Sequence, residues 1–139
     1  MLDILGITLN QFENWLPVEN LPVGLGRPDS PDTLTLLCRK RHPRARRFEL
    51  ARFLGDIISP AASEEGWLVS SDLTTARQKR QRSFAAEFLC PIDALVAFLN
   101  GNYSESAQEE AAENFQVSEK TVETLLINHG YVDCAQKAF

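Results

Sequence analysis

The sequence predicts an α+β domain, mostly helical, with a small two- or three-stranded sheet and a C-terminal helical bundle. Three observations predict it. Apolar residues recur at helical spacing through most of the chain after residue 43, short β-branched and apolar runs stand at 33–38 and 67–70, and Pro and Gly punctuate the joints. At 139 residues the chain has the size of one domain and can bury a core. Residues 1–139 are therefore read as one domain in three stretches. Residues 1–42 hold a helix, connector and strand, 43–91 a central motif core, and 92–139 the C-terminal helices.

Taking the elements in order, residues 2–16 place Leu2, Leu5, Leu9, Phe12 and Leu16 near helical spacing, and Pro17 closes that helix. From Pro17 to Pro31, four Pro (17, 22, 28 and 31) and two Gly read as an irregular connector. Thr33-Leu34-Thr35-Leu36-Leu37-Cys38 reads as a short strand. Pro43 opens a helix, where its missing N–H costs nothing, and Leu50, Ala51, Leu54, Ile57 and Ile58 follow toward one side until Pro60. Gly55 within this helix is worth about 1 kcal/mol less than Ala, which implies close approach to another element. A loop at 61–66 leads to a second strand, Trp67-Leu68-Val69-Ser70. Thr74 to Leu89 is helical, with Asp72 or Thr74 as cap, a basic first half and an apolar second half. Helices at 92–99, 104–115 and 118–128 complete the chain, with Gly101 and Gly130 as helix stops.

The net charge of −5 conceals a segregation. Residues 1–38 hold one base and five acids, 39–82 eleven bases and five acids, and 83–139 two bases and nine acids. The basic middle is read either as a site for an anionic ligand or, preferably, as the counterpart of the acidic helices. No apolar run approaches a membrane span, and Met1-Leu2-Asp3-Ile4-Leu5-Gly6 lacks the basic start and cleavage pattern of a secretory signal. Three Cys without pattern fit a reducing compartment, so a cytoplasmic protein without a membrane partner is expected.

Two segments carry the most chemical information: Arg46-Arg47-Phe48-Glu49-Leu50-Ala51-Arg52-Phe53-Leu54-Gly55-Asp56, and Ala76 to Pro91 with its Phe84-Ala85-Ala86-Glu87-Phe88-Leu89-Cys90-Pro91 ending. Together they resemble the ImmA/IrrE metallo-endopeptidases, bacterial and phage proteins that carry R-F-T-x-A-H-E-L-G-H followed by E-x-x-A-N-x-F-A-x-x-L-L-M-P. Residues 45–91 carry the resemblance, and the F-x-V-S-x-x-x-V-x-x-x-L cadence beginning at Phe115 extends it to about residue 128. The resemblance implies a zincin-like fold with a small sheet beside the motif helix. It also implies a zinc site in which two His one turn apart and a Glu of the second helix bind the metal, while the Glu of H-E-x-x-H is the general base. Those four places hold Arg52, Phe53, Asp56 and Gln78 here. A zinc site requires imidazole, thiolate or carboxylate donors, and a guanidinium cannot ligate a cation. Only His42 and His129 are present, and Cys38, Cys90 and Cys134 show no C-x-x-C spacing. No catalytic residue, metal or cofactor is therefore expected, with zinc only if other donors compensate.

Arg52 and Asp56, at i and i+4, form an expected ion pair. Either the Arg52 guanidinium takes the place of the lost cation, held by Asp56 and Gln78, or the pair is a surface pair worth a few tenths of a kcal/mol. The binding candidates are Arg46, Arg47, Arg52, Asp56, Arg77, Gln78, Lys79, Arg80, Arg82 and Glu87, the basic ones flanking the same cleft in the implied fold. Within the basic runs Arg39-Lys40-Arg41, Arg44, Arg46-Arg47 and Arg77, Lys79, Arg80, Arg82, no aromatic residue is interleaved to stack on nucleobases, which favours a protein partner. Ala111 to Leu126 has a helix-turn-helix cadence, but Glu119, Glu123 and the acids of 105–113 repel a polyanion, so a bundle is preferred to a DNA reader. The expected function is a catalytically inactive ImmA/IrrE-like binding or regulatory module. By resemblance its partner is a helix-turn-helix transcriptional regulator. The alternatives are a metallo-endopeptidase with atypical donors among Glu49, Asp56 and Glu87, and a nucleic-acid-binding regulator using segment 39–82.

Overall fold

A computed structural model of the chain describes residues 1, 3, 5–14, 21–30, 33–59 and 66–133, with the backbone alone for 28–30 and 33. Six helices and a three-stranded antiparallel sheet give the α+β class expected. The chain gathers into two compact units, Met1–Ala85 and Ala86–Phe139.

In the first unit, α1 (Leu9–Glu13) is much shorter than the helix expected over 2–16. Gly6 has φ +66, a left-handed conformation that ends any helix entering it. Thr8 then starts a new helix through a capping box with Gln11, satisfying two backbone donors at once. The expected contributions of Leu2, Leu16 and Pro17 lie outside the described residues, as do Pro31, Pro60 and the loop through residue 65.

The sheet consists of β1 (Gly24–Ser30), β2 (Thr33–Leu37) and β3 (Leu68–Ser70), in the order β2-β1-β3. β2 and β3 match the two strands read from sequence, but the central strand lies in the expected irregular connector, and that expectation is corrected. The reason is tertiary. A Cβ on Gly24 would come within 2.7 Å of Glu49 Oε1, and one on Gly26 within 2.8 Å of Leu36 Cδ2, so side chains rest directly on the β1 backbone. Two glycines weaken a strand taken alone, and here they admit the packing that makes it the centre of the sheet. Pro28 is tolerated because β3 pairs only with Gly24–Gly26, leaving the Pro28 stretch with β2 as its strand neighbour among the described residues.

His42 and Pro43 begin α2 (Pro43–Ile57), the His42 imidazole accepting a hydrogen bond from the Arg44 N–H at 3.2 Å. One side of α2 supplies Leu50, Phe53 and Leu54 to a core shared with Leu5, Leu36, Cys38 and Leu68. Burying side chains of this size contributes about 1.5–3 kcal/mol each. α3 (Ala76–Leu89) follows β3, and its first turn is closed by Thr75, whose hydroxyl accepts from Gln78 N–H, in place of the expected Asp72 or Thr74.

The second unit holds α4 (Ile92–Leu99), α5 (Glu105–Phe115) and α6 (Glu119–Asn128). Ser104 and Ser118 cap α5 and α6, and the αL residues Asn100 and Gln116 end α4 and α5. Leu95, Leu99, Ala111, Ala112, Val117, Val122, Leu125 and Leu126 are buried within it. No helix among the described residues is long and apolar enough to cross a membrane.

Candidate functional site

The polar residues of α2 are the unusual part of the first unit, because Arg46, Glu49, Arg52 and Asp56 all lie at 6 % exposure or less. Charged groups at such depth must be paired or hydrogen-bonded. Three clusters do this for Glu49, Arg52 and Asp56.

The first is built on Arg39. Its Nε donates to Glu49 Oε1 at 3.1 Å and its two Nη atoms fork onto Asp72 at 3.0 and 2.8 Å. Glu49 also accepts from the Arg39 N–H and from the Ser70 hydroxyl, so this buried carboxylate is well supplied with donors. The fork to Arg39 holds the Asp72 carboxyl below its ordinary range.

The second cluster is built on Arg52. Its Nη2 donates to the Ser71 carbonyl at 2.8 Å, to Gln78 Oε1 and to Gln81 Oε1 at 3.2 Å. All three acceptors are neutral, and its Nε is buried without a partner among the described residues. Burial, with Arg82 nearby, pushes the Arg52 guanidinium down to about 10. Gln78 has a second task. Its Oε1 also accepts from Ser71 N–H, and its Nε2 donates to the Val69 carbonyl at 2.9 Å. The Gln78 amide thus lies along the outer edge of β3 as a neighbouring strand would, and Gln81 Nε2 adds a further bond to Val69.

The third cluster corrects the expected ion pair. Asp56 is bound by Arg77, whose Nε and Nη2 grip both carboxylate oxygens while Nη2 also reaches the Trp67 carbonyl. No ion pair joins Asp56 to Arg52, and both are buried, so neither a surface pair nor the Asp56 half of the expected Arg52 cradle exists. The Gln78 half does. Arg77 comes from α3, and a guanidinium approaching from another helix meets a carboxylate side-on with two N–H groups, which favours it over a neighbour on the same helix.

These contacts sort the binding candidates. Arg52, Asp56, Arg77 and Gln78 are brought together, and Arg82 joins them by donating to the Leu73 and Ser71 carbonyls. Arg46 is buried with its guanidinium over the Phe12 ring at 5.1 Å, and Arg47 is half-buried with its pKa lowered by burial. Lys79 and Arg80 are exposed. Glu87 belongs to the second unit, where Oε1 lies 2.6 Å from His129 Nε2 and Oε2 accepts from Ile92 N–H. The sequence reading placed Arg39 only in a basic surface and Asp72 only as a helix cap, and it passed over Ser71 and Gln81. Gln81 was legible, one turn after Gln78 on a helix. The others depend on loops meeting α2.

The zinc that the resemblance implies does not fit these residues. At the three ligand places stand a guanidinium, a carboxylate already bound to arginine, and an amide turned to the β3 edge; at the general-base place stands Phe53, fully buried in the core. Among the described residues, no three His, Cys, Asp or Glu side chains gather as metal donors. Cys38 and Cys90 are buried free thiols, pushed up to about 12 and about 11 mainly by burial. Compared with known protein families, curated proteins and solved structures, the chain matches none.

Proposed function

We propose that this chain is a catalytically inactive ImmA/IrrE-like domain that works as a cytoplasmic binding or regulatory module, with a transcriptional regulator as its partner class. One observation carries the reading: a buried arginine, bonded to Ser71, Gln78 and Gln81, stands where such a domain would place its first zinc ligand. A fixed positive charge there excludes Zn²⁺ by repulsion and by occupying the donors. The helix-turn-helix cadence of α5 and α6 serves as part of a helical bundle, since its exposed face is acidic.

The competing peptidase reading requires Glu49, Asp56 or Glu87 as donors. Each already has a cationic, imidazole or backbone N–H partner. The competing nucleic-acid reading requires the arginines of 39–82, of which Arg39, Arg52, Arg77 and Arg82 are spent on internal contacts. Metal content decides between the first two. After zinc loading and desalting, plasma mass spectrometry is expected to find well under one zinc per folded chain. Stoichiometric zinc would overturn the pseudo-peptidase reading.

A further inference from the structure

Of the eleven basic residues in segment 39–82, Arg39, Arg46, Arg52, Arg77 and Arg82 are engaged within the first unit, and the pair on the open side of α3 is not. Lys79 and Arg80 are consecutive on α3, fully on the surface, and form no ion pair among the described residues. Both line a groove of about 490 Å³ between the C-terminal turn of α2 and α3. Its apolar part is Phe84 and Ile58, the latter 59 % exposed. At Gly55, which also lines the groove, the α2 backbone meets the Phe84 ring directly, since a Cβ there would lie 2.5 Å from Phe84 Cδ1.

Among the described residues, the one carboxylate lining this groove is Asp56, and Arg77 is paired with it. Among the described residues, the groove therefore presents Lys79 and Arg80 without a carboxylate partner, beside an apolar floor. Arg80 lies one helical turn before Phe84, which puts the two about 5–6 Å apart at the Cβ level.

Taking the binding-module reading as its basis, we infer that this groove docks an acidic segment of a partner protein, which inserts a large apolar residue against Phe84 and Ile58 and sets Asp or Glu about one turn away against Lys79 and Arg80. The charge pattern selects this occupant. A nucleic acid would leave the apolar floor unused, and a neutral apolar helix would leave two cations facing it without partners.

The test pans the intact chain, its zinc content first measured, against displayed random peptides about twelve residues long. Selected peptides are titrated into the wild type and into the K79E/R80E and Ile58→Asp variants. All three positions are exposed, so the variants are expected to fold, with circular dichroism as the check. The expected result is a selected pattern of acids about one turn from a large apolar residue, with affinity falling about tenfold or more in each variant. Selected peptides without acids, or equal binding to K79E/R80E, would overturn the inference. So would self-association of the wild type, or oligonucleotide binding, that K79E/R80E abolishes, since the occupant would then be a second copy or a polyanion. A zinc-free chain that fails this test loses the groove assignment and keeps the pseudo-peptidase reading, whereas a zinc-loaded chain loses that reading whatever the peptides do.

Discussion

At the scale of single residues, the fold turns on how buried charge is satisfied. Arg52 lies at 4 % exposure and holds three oxygens, one from the chain after β3 and two from α3. Removing it takes one donor from each, and an unmet buried acceptor costs about 1–3 kcal/mol; the Ser71 carbonyl keeps Arg82, so the Gln81 oxygen is the one left without a described donor. Gln78 retains Ser71 N–H as a donor, which limits the loss. Arg52→Ala is therefore expected to lower unfolding stability by about 2–4 kcal/mol in urea titration. A loss below about 1 kcal/mol would show that the guanidinium is dispensable to the fold. Phe53 illustrates the same principle from the apolar side. At the place that the proposed likeness would give to a general base, this chain has a fully buried ring in the core.

At the scale of elements, α2 and α3 are held by a backbone-to-ring contact at one end and by polar bonds along the rest. Gly55 is where these meet. Ala is the better helix former by about 1 kcal/mol, so on an isolated helix Gly55→Ala would stabilise. Here the new methyl group would lie 2.5 Å from Phe84 Cδ1 and 3.1 Å from Phe84 Cβ, too close for a ring rotation alone to relieve. Overpacking of that kind costs about 1–3 kcal/mol and outweighs the propensity gain. Gly55→Ala is expected to lower the thermal midpoint, and a raised midpoint would show that the helices separate freely. β3 depends on α3 in another way. It has only three residues, and its outer edge is met by the amides of Gln78 and Gln81 instead of a fourth strand. Side-chain amides close that edge without offering a new one.

At the scale of the whole molecule, charge and buried thiols divide between the two compact units. The first unit carries twelve bases and ten acids, the second two bases and nine acids. Among the described residues each unit also buries one cysteine, Cys38 in the first and Cys90 in the second. Both thiols stay protonated in the fold above the pH at which an unfolded chain loses the proton. Their contribution is fully present below pH 9 and is lost as pH rises toward about 11 for Cys90 and about 12 for Cys38. Stability measured by chemical unfolding is expected to fall across that alkaline window, and the Cys38→Ala, Cys90→Ala double variant is expected to flatten the fall. An unchanged slope would show that the thiols ionise as freely in the folded chain as in the unfolded one. The sequence by itself determined what local chemistry governs: the helix from Pro43, the helices that open at Ser104 and Ser118, the β2 and β3 strands, and a guanidinium at Arg52, which cannot be a metal donor. Helix periodicity, capping and donor chemistry act over a few residues, so they are written in the order of the chain. Only the tertiary structure decided that a stretch with two glycines and a proline is the central strand, that Asp56 pairs with Arg77 instead of Arg52, and that Lys79 and Arg80 alone face the groove as free cations among the described residues lining it. Those outcomes depend on which segments meet across many residues, where close packing rewards a missing Cβ and desolvation selects the partner with the better geometry.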